Sequence, residues 1–236
     1  MLRAEPGQLF ELSDGESLWL ARIERVGRDE VQFSLVERLQ GRQPALWISL
    51  LPAIVKFDRF EWALEKATEL GADEIVPVAA ERSEHGLIAA AGKRAQRWEK
   101  ILIESAQQSR RLRAPVLRDT AKSRAAFDAS KAQIRLLLSE RPGASPMRAL
   151  LERPALAAAG GAASVAIAVG PEGGWTDAEF SAAAASGFSE AALGENILRA
   201  ETAVCAALAA VQYAFGAFRP GVESPRAEIG DRKENS

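Results

Sequence analysis

The first 44 residues alternate between apolar and polar side chains, a pattern typical of strands with one buried face. The alternation is clearest at residues 31–36. Turn-forming residues at 13–16 and 27–29 divide this region, which predicts three short strands at residues 8–12, 17–25 and 30–37. Three short strands are few for an independently stable domain.

From residue 46 onward, continuous apolar runs alternate with segments whose apolar residues recur at helical spacing. The apolar runs predict buried strands at residues 46–55, 74–79, 116–117, 134–138, 165–169 and 191–193. Helices are predicted at residues 57–70, 93–109, 176–185 and 201–218, and Thr176 with Glu179 forms a capping box at the start of the third. This order predicts an α/β fold, with a mostly parallel sheet and helices on both faces.

The composition is that of an ordinary globular chain, because 47% of the 236 residues are hydrophobic and 26% are charged. One cysteine and one histidine exclude a disulfide framework and argue against a zinc or iron–sulfur site. We therefore expect no metal, a reducing compartment and a cytoplasmic protein. Residues 154–171 are broken by glycine and proline, and residues 202–218 are too short for a membrane span, so we expect no membrane association.

The net charge of −2 hides a local excess of positive charge. Residues 93–124 contain ten basic side chains and only three acidic ones. Such a segment can form a face for phosphate contact, or it can be an ordinary solvated helix surface. Charge counting does not separate these two interpretations.

Three loops are candidates for ligand binding because each follows a predicted parallel strand, where ligands of open α/β sheets bind. They lie at residues 139–142, 170–174 and 193–199. None is a P-loop or a Gly-x-Gly-x-x-Gly fingerprint, so binding of a nucleotide phosphate is poorly supported. Their glycines instead allow close backbone approach to an uncharged or cationic ligand. A tight strand-to-helix turn explains Gly-Pro-Glu-Gly-Gly about as well.

Several motifs in order along residues 1–218 carry a family resemblance. They comprise Lys56, Arg59 and Glu61 ahead of Lys-Ala-Thr-Glu-Leu-Gly at 66–71, Pro77, Glu-Arg-Ser at 81–83, Arg97-Trp98, Glu-Ser-Ala-Gln-Gln-Ser at 104–109, Arg111, Pro115, and the segments 170–174 and 193–203. The chain resembles the SPOUT-superfamily methyltransferases, and most closely the bacterial small-subunit ribosomal RNA uridine-N3 methyltransferase family.

The resemblance implies a fold, an activity and an assembly. A PUA-like RNA-binding β-barrel domain is expected at residues 1–44, a SPOUT domain with a C-terminal deep trefoil knot at 45–220, and a flexible tail at 221–236. The implied enzyme is a homodimer that uses S-adenosylmethionine to methylate N3 of a specific uridine in small-subunit ribosomal RNA. The implied cofactor contacts are Leu138, Ser139, Gly170, Glu172, Gly173, Leu193, Gly194, Ile197 and Leu198.

Uridine N3 carries a proton at neutral pH, so the site needs a proton acceptor and a group that stabilises the anionic ring. Arg199 is the candidate for the second role. Glu201 or Glu172 is the candidate acceptor, although Glu201 also occupies the first turn of a predicted helix, where the dipole favours a carboxylate.

Four arginines are candidate contacts for RNA phosphates, namely Arg82, Arg97, Arg110 and Arg111. Arg82 could instead pair with Glu81 or Glu84. Likewise, Lys56, Arg59 and Lys66 could pair with Glu61, Glu65 or Glu69 along one helix.

The chain departs from the family pattern in three places. Met1 aligns inside the family's first domain, so an incomplete barrel with weakened RNA binding is expected. Asn196 stands where the family has an arginine, and an amide cannot replace a bidentate donor. Arg110 stands where the family has a glycine. These departures keep two alternatives open: a catalytically silent RNA-binding or ribosome-assembly factor, or a SPOUT enzyme acting on tRNA.

Overall fold

The computed structural model describes residues 4–39, 46–152 and 163–215, and begins with a small antiparallel sheet. Strands β1 (Leu9–Ser13), β2 (Leu18–Val26) and β3 (Val31–Leu39) pair in sequence order. Their bounds lie close to the three predicted strands. The β1–β2 turn is stabilised by Asp14 Oδ1, which accepts hydrogen bonds from the N–H groups of Glu16 and Ser17. The expected domain boundary at residues 44–45 and the tail after residue 220 lie outside the described residues.

A seven-stranded sheet forms the centre of the rest of the structure. Its strands are β4 (Leu46–Pro52), β5 (Glu74–Ile75), β7 (Val116–Leu117), β9 (Ile134–Leu138), β10 (Ser145–Pro146), β11 (Ala163–Val169) and β12 (Ser189–Ala192). They lie side by side in the order β10-β12-β9-β11-β4-β5-β7, and every neighbouring pair is parallel. The predicted parallel sheet is therefore confirmed. Two further strands, β6 (Val78–Ala79) and β8 (Ala121–Lys122), form a separate parallel pair.

Among the described residues, six helices cover the sheet, and they lie on both of its faces, as predicted. They are α1 (Phe57–Glu69), α2 (His85–Gln108), α3 (Ser123–Ala129), α4 (Met147–Leu151), α5 (Asp177–Ala185) and α6 (Ala200–Phe215). Alternate residues of β4 point to opposite faces, so Ile48 and Leu50 join one buried cluster with α1, α2, α4 and α6. Leu51 joins a second cluster with α3 and α5.

The structure corrects several predicted elements. The strand predicted at residues 74–79 is interrupted at Pro77, which has no N–H for a ladder, so β5 pairs with β4 and β7 whereas β6 pairs with β8. Helix α2 begins at His85 rather than at residue 93. The prediction missed its first two turns because Gly86 and Gly92 lower the helix propensity of that segment. Helices α3 and α4 are too short to show a period and were not predicted. Phe218 of the predicted last helix lies outside the described residues.

Helix α2 ends in a Schellman motif whose left-handed position is occupied by an arginine. The N–H of Arg111 donates to the carbonyl of Ala106 at 2.9 Å, and the N–H of Arg110 donates to that of Gln107 at 3.2 Å. Arg110 has a φ of 54°. A residue with a Cβ is strained in this conformation, by about 1–2 kcal/mol. The glycine that the family resemblance places here thus has a physical basis.

We expect Arg110→Gly to raise the free energy of unfolding by about 0.5–1 kcal/mol, because relief of backbone strain exceeds the added flexibility of the unfolded chain. Urea unfolding measures the change. Lys100→Gly is the control, since residue 100 lies inside the same helix and the substitution should cost about 1 kcal/mol there. Equal destabilisation by both substitutions would contradict the strain argument.

Candidate functional site

The three candidate loops meet at one edge of the parallel sheet. Residues 139–142 follow β9, residues 170–174 follow β11, and residues 193–199 follow β12. These strands are immediate neighbours in the order β12-β9-β11, and the carboxyl ends of parallel strands lie at the same edge. The structure therefore brings together three segments that are separated along the chain.

The loop after β9 is shaped by Ser139, which is buried. Its hydroxyl donates to Glu190 Oε2 at 2.8 Å and accepts a hydrogen bond from the N–H of Arg141 at 3.2 Å. Its own N–H donates to the carbonyl of Ala191 at 3.0 Å. Ser139 thus ties this loop to β12, while the half-buried Leu138 packs against the core. The Ser139 hydroxyl is therefore engaged within the protein.

The turn after β11, residues 170–174, is held tightly and requires its glycines. Gly174 has a φ of 69°, and its N–H donates to the carbonyl of Pro171 at 2.8 Å. A Cβ on Gly170 would lie 3.1 Å from Trp175 Nε1. The Trp175 side chain is buried, and its indole N–H has no hydrogen-bond partner among the described residues. The Trp175 indole N–H is therefore a buried donor beside the glycine turn that still needs an acceptor.

Arg82 braces this turn from the side of β6. Its Nη1 donates to the carbonyl of Gly173 at 2.7 Å and to that of Trp175 at 3.3 Å. Sequence reasoning offered an RNA phosphate, Glu81 or Glu84 as partners for Arg82, and neither carboxylate pairs with it in the structure. Its guanidinium is directed at main-chain carbonyls, so we assign Arg82 to support of the turn.

The segment that carries Arg82 is itself anchored by a buried carboxylate. Glu179, in the capping box at the start of α5, accepts hydrogen bonds at Oε1 from the N–H of Glu81 and the hydroxyl of Ser123. Its Oε2 accepts one from the N–H of Thr176, which completes the predicted capping box. Glu179 therefore connects the 81–83 segment, α3 and α5 directly below the glycine turn.

The loop after β12 is the most open of the three. Leu193 and Leu198 pack against the core, whereas the side chain of Ile197 is 80% exposed. Gly194 has open space where a Cβ would be. The exposed Arg199 makes no side-chain hydrogen bond or ion pair with any residue that the structure describes, although its carbonyl accepts the N–H of Ala203. This loop leaves room and a positive charge at the site.

The two candidate acids share one arginine that sequence reasoning did not place in the site. Arg59 of α1 forms an ion pair with Glu172 through Nη1, and its Nε lies 4.0 Å from Glu201 Oε1. The side chain of Glu201 is 14% exposed and that of Glu172 is 52% exposed. Glu201 Oε2 is buried and has no partner among the described residues. The suggested pairing of Arg59 along its own helix is therefore wrong.

Comparison with known protein families supports an RNA-modifying role. The family described as "RNA methyltransferase domain" matches residues 42–212, which is more than half of the chain. The chain belongs to this family. A curated relative named ribosomal RNA small subunit methyltransferase E, from Synechocystis sp., is 33% identical over 217 residues, covering 89% of this chain and 68% of the relative. The protein of the same name from Rickettsia conorii is 30% identical over 87% of this chain and 79% of its own length.

Solved structures of RNA methyltransferase relatives share the fold. Ribosomal RNA small subunit methyltransferase E from Neisseria gonorrhoeae, bound to S-adenosylmethionine, superposes with a TM-score of 0.80 at 30% identity, covering 92% of this chain and 87% of the other. A Legionella pneumophila protein in complex with the same cofactor gives a TM-score of 0.78 at 30% identity, covering 90% and 85%. The parallel α/β sheet is thus the fold of this methyltransferase family.

Two classes of feature are not observed in this RNA methyltransferase within the described ranges. No helix there has the length and apolarity needed to cross a membrane. Across the same ranges, no group of three or more His, Cys, Asp or Glu side chains is placed to hold a metal ion.

The four RNA-contact candidates of this RNA methyltransferase differ in accessibility. Arg97 is 62% exposed and shares Glu61 with Arg94, and Arg110 is exposed at the end of α2. Arg111, in contrast, is only 16% exposed and pairs with the buried Asp73 at 2.9 Å. Burial raises the pKa of the Asp73 carboxyl.

Arg111 also donates to a main-chain carbonyl at the end of α1, that of Thr68, at 2.9 Å. The guanidinium thus holds the ends of α1 and α2 together. These contacts give Arg111 a structural role, and its contact with an RNA phosphate stays a prediction.

We expect Arg111→Gln to lower the free energy of unfolding by about 3 kcal/mol, because it leaves the Asp73 carboxylate buried without its counter-ion. Arg118→Gln is the matched control: Arg118 pairs with Glu74 at 2.6 Å but is 57% exposed, so its loss should cost less than about 1 kcal/mol. Urea unfolding compares the two variants. If Arg111→Gln were as stable as the control and bound RNA less tightly, Arg111 would be an RNA contact rather than a structural residue.

Proposed function

We propose that this chain is an S-adenosylmethionine-dependent methyltransferase that methylates N3 of a uridine in small-subunit ribosomal RNA. Family membership supports methyl transfer to RNA, and the names of the curated relatives support the ribosomal substrate. The observation that carries the proposal is the meeting of three candidate loops at the carboxyl ends of β12, β9 and β11, where the glycine turn after β11 is braced by Arg82.

The residues at this edge fit an adenosyl ligand held mainly through main-chain groups. The glycines permit close approach, Gly194 has free space around it, and the Trp175 N–H needs an acceptor. Two relatives of the same fold bind this cofactor. The proposed contacts are Leu138, Ser139, Gly170, Glu172, Gly173, Leu193, Gly194, Ile197 and Leu198. When bound, the cofactor supplies a methyl group already activated on a sulfonium, so the protein must mainly align the reactants and exclude water.

Glu201 is the better of the two candidate proton acceptors. Uridine N3 becomes a nucleophile when its proton leaves, and the acceptor must have an unoccupied oxygen. Arg59 faces Oε1 of both acids, but Glu172 is half exposed, whereas Glu201 is largely buried and its Oε2 has no hydrogen-bond partner within the described chain. In the proposed reaction the N3–H bond breaks and the proton moves to Glu201. The electron pair left on N3 would form the bond to the methyl carbon while the methyl–sulfonium bond breaks and its electron pair stays on sulfur.

Arg199 is proposed to stabilise the negative charge that the uracil ring acquires. It lies two residues before Glu201 in the chain, is exposed, and has no competing ion pair in the described part of the protein. A guanidinium beside a developing anion acts like the donors of an oxyanion hole.

The RNA surface is proposed to run from the second half of α2, past the end of this helix, to the small antiparallel sheet. Arg97 and Arg110 are the accessible candidates on the first part. The hydroxyl of Ser13 donates to the carbonyl of Leu112, so the antiparallel sheet adjoins the basic segment. We propose that this sheet is the PUA-like RNA-binding domain of residues 1–44.

Further properties implied by the resemblance are part of the proposal. These are a SPOUT domain at residues 45–220 with a C-terminal trefoil knot, a tail at 221–236, a homodimer and a cytoplasmic location. Helix α6 packs against α1 and β11, which is compatible with a final segment folded back into the domain. Tyr213 on α6 is 93% exposed and Trp62 on α1 is 45% exposed, and we propose that the homodimer interface covers these side chains.

Nucleoside mass spectrometry of small-subunit ribosomal RNA from a deletion strain tests the function. We expect 3-methyluridine to disappear and to return when the wild-type gene is restored. Unchanged nucleosides in ribosomal RNA would favour the alternative function, a catalytically silent RNA-binding or assembly factor. Asn196, which stands where the family has an arginine, is the reason for testing that alternative. A methylated nucleoside lost from tRNA alone would favour the tRNA enzyme.

We expect Glu201→Gln to lower the kcat of methyl transfer by roughly 10²–10⁴-fold, because an amide cannot take the N3 proton. Glu172→Gln should lower kcat by less than about tenfold, since Glu172 is not assigned the proton. Methyl transfer from labelled cofactor to small-subunit ribosomal RNA measures both. A deeper loss in Glu172→Gln would reverse the assignment of the two acids.

A further inference from the structure

Arg59 lies between two segments whose relative position matters for the proposed reaction, the glycine turn and the start of α6. Its Nη1 pairs with Glu172 in the glycine turn, and its Nε lies 4.0 Å from Oε1 of Glu201 in the first turn of α6. The side chain is 28% exposed, so the pair is partly shielded from water. One guanidinium on α1 thus faces carboxylates from two other elements of the site.

Other charged side chains of α1 pair with partners other than Arg59, so they do not compete for its guanidinium. Glu61 accepts from Arg94 at 3.2 Å and from Arg97 at 2.8 Å. Glu65 and Glu69 accept from Lys66, and these hydrogen bonds raise the pKa of Lys66 to about 12. Within the described ranges, Arg59 is the basic residue that reaches either Glu172 or Glu201.

We propose that Arg59 is a positioning residue that fixes the glycine turn to α6 and holds the Glu201 carboxylate in its orientation for proton transfer. The inference rests on the function proposed above. Attraction of Oε1 toward Arg59 leaves Oε2 as the oxygen without a partner. Attraction of Glu172 holds the turn that we assign to the cofactor. Arg59 therefore acts on both cofactor binding and proton transfer without touching the reacting atoms.

A planar guanidinium suits this role better than an ammonium does. Its separate N–H groups can face two carboxylates at once, whereas a lysine is a single point charge on a flexible stem. Arg59→Lys should consequently recover only one of the two contacts, and Arg59→Gln should recover neither.

The experiment measures methyl transfer to small-subunit ribosomal RNA and calorimetric binding of S-adenosylhomocysteine. We expect Arg59→Gln to weaken S-adenosylhomocysteine binding about tenfold and to lower kcat by at least tenfold, with Arg59→Lys between Arg59→Gln and wild type. In the Glu201→Gln background, Arg59→Gln should cause no further loss of kcat, because residues that act through one another are not additive. Lys66→Gln is the control on the same helix and should retain both kcat and binding.

The outcomes separate this inference from the function on which it rests. If wild-type protein binds S-adenosylhomocysteine and methylates ribosomal RNA but Arg59→Gln behaves like wild type, the inference fails and the function stands. If the kcat losses of Arg59→Gln and Glu201→Gln simply multiply, Arg59 does not act through Glu201. If wild-type protein neither binds S-adenosylhomocysteine nor methylates RNA, both fail. Thermal unfolding of each variant distinguishes unfolding of the protein from misplacement of Glu201 and the glycine turn in a folded protein.

Discussion

The parallel pairing of β12, β9 and β11 is the constraint on which the candidate site depends. Leu136 of β9 lies opposite Ile167 of β11 and Ser189 of β12, and this register lets the three strands end nearly level. The three loops therefore start at the same edge of the sheet. A slip of one residue would turn every side chain of a strand to the opposite face and would misplace its loop. The apolar pattern that buries both faces of the strands thus also positions the loops.

Folding changes the meaning of the basic segment at residues 93–124. A count along the chain includes only the acidic residues within that segment. In the structure, three acidic residues from outside it also contact the segment: Glu61 of α1, Asp73 just before β5, and Glu74 of β5. Arg94, Arg97, Arg111 and Arg118 each have one of these partners. Much of the local positive charge is balanced within the protein, so RNA contact must depend on individual exposed groups rather than on the total.

The sequence predicted six of the seven strands of the parallel sheet and the position of the loops, because hydrophobic periodicity is a local property. It missed β10, whose two exposed residues show no such period. It did not predict the partners of Arg59 and Arg82. Arg59 meets Glu172 across 113 residues of sequence, and Arg82 meets Gly173 across 91 residues. A helical pattern shows which face of α1 is polar but not which distant segment faces it. Side-chain pairing within one helix, the nearest alternative, was therefore correct for Lys66 and wrong for Arg59.

Arg59 and Arg82 restrict the conformational freedom of the glycine turn. Glycine allows the close approach that a main-chain binding site needs, but it also gives the turn more conformational freedom than any other residue would. Arg82 fixes the carbonyls of Gly173 and Trp175, and Arg59 fixes the side chain of Glu172 from another direction. In methyl transfer, a misplacement of about 1 Å between the donor and the acceptor atom can lower the rate by roughly 10²-fold. A turn built from glycine can meet that requirement only if charged side chains from neighbouring elements hold it in place.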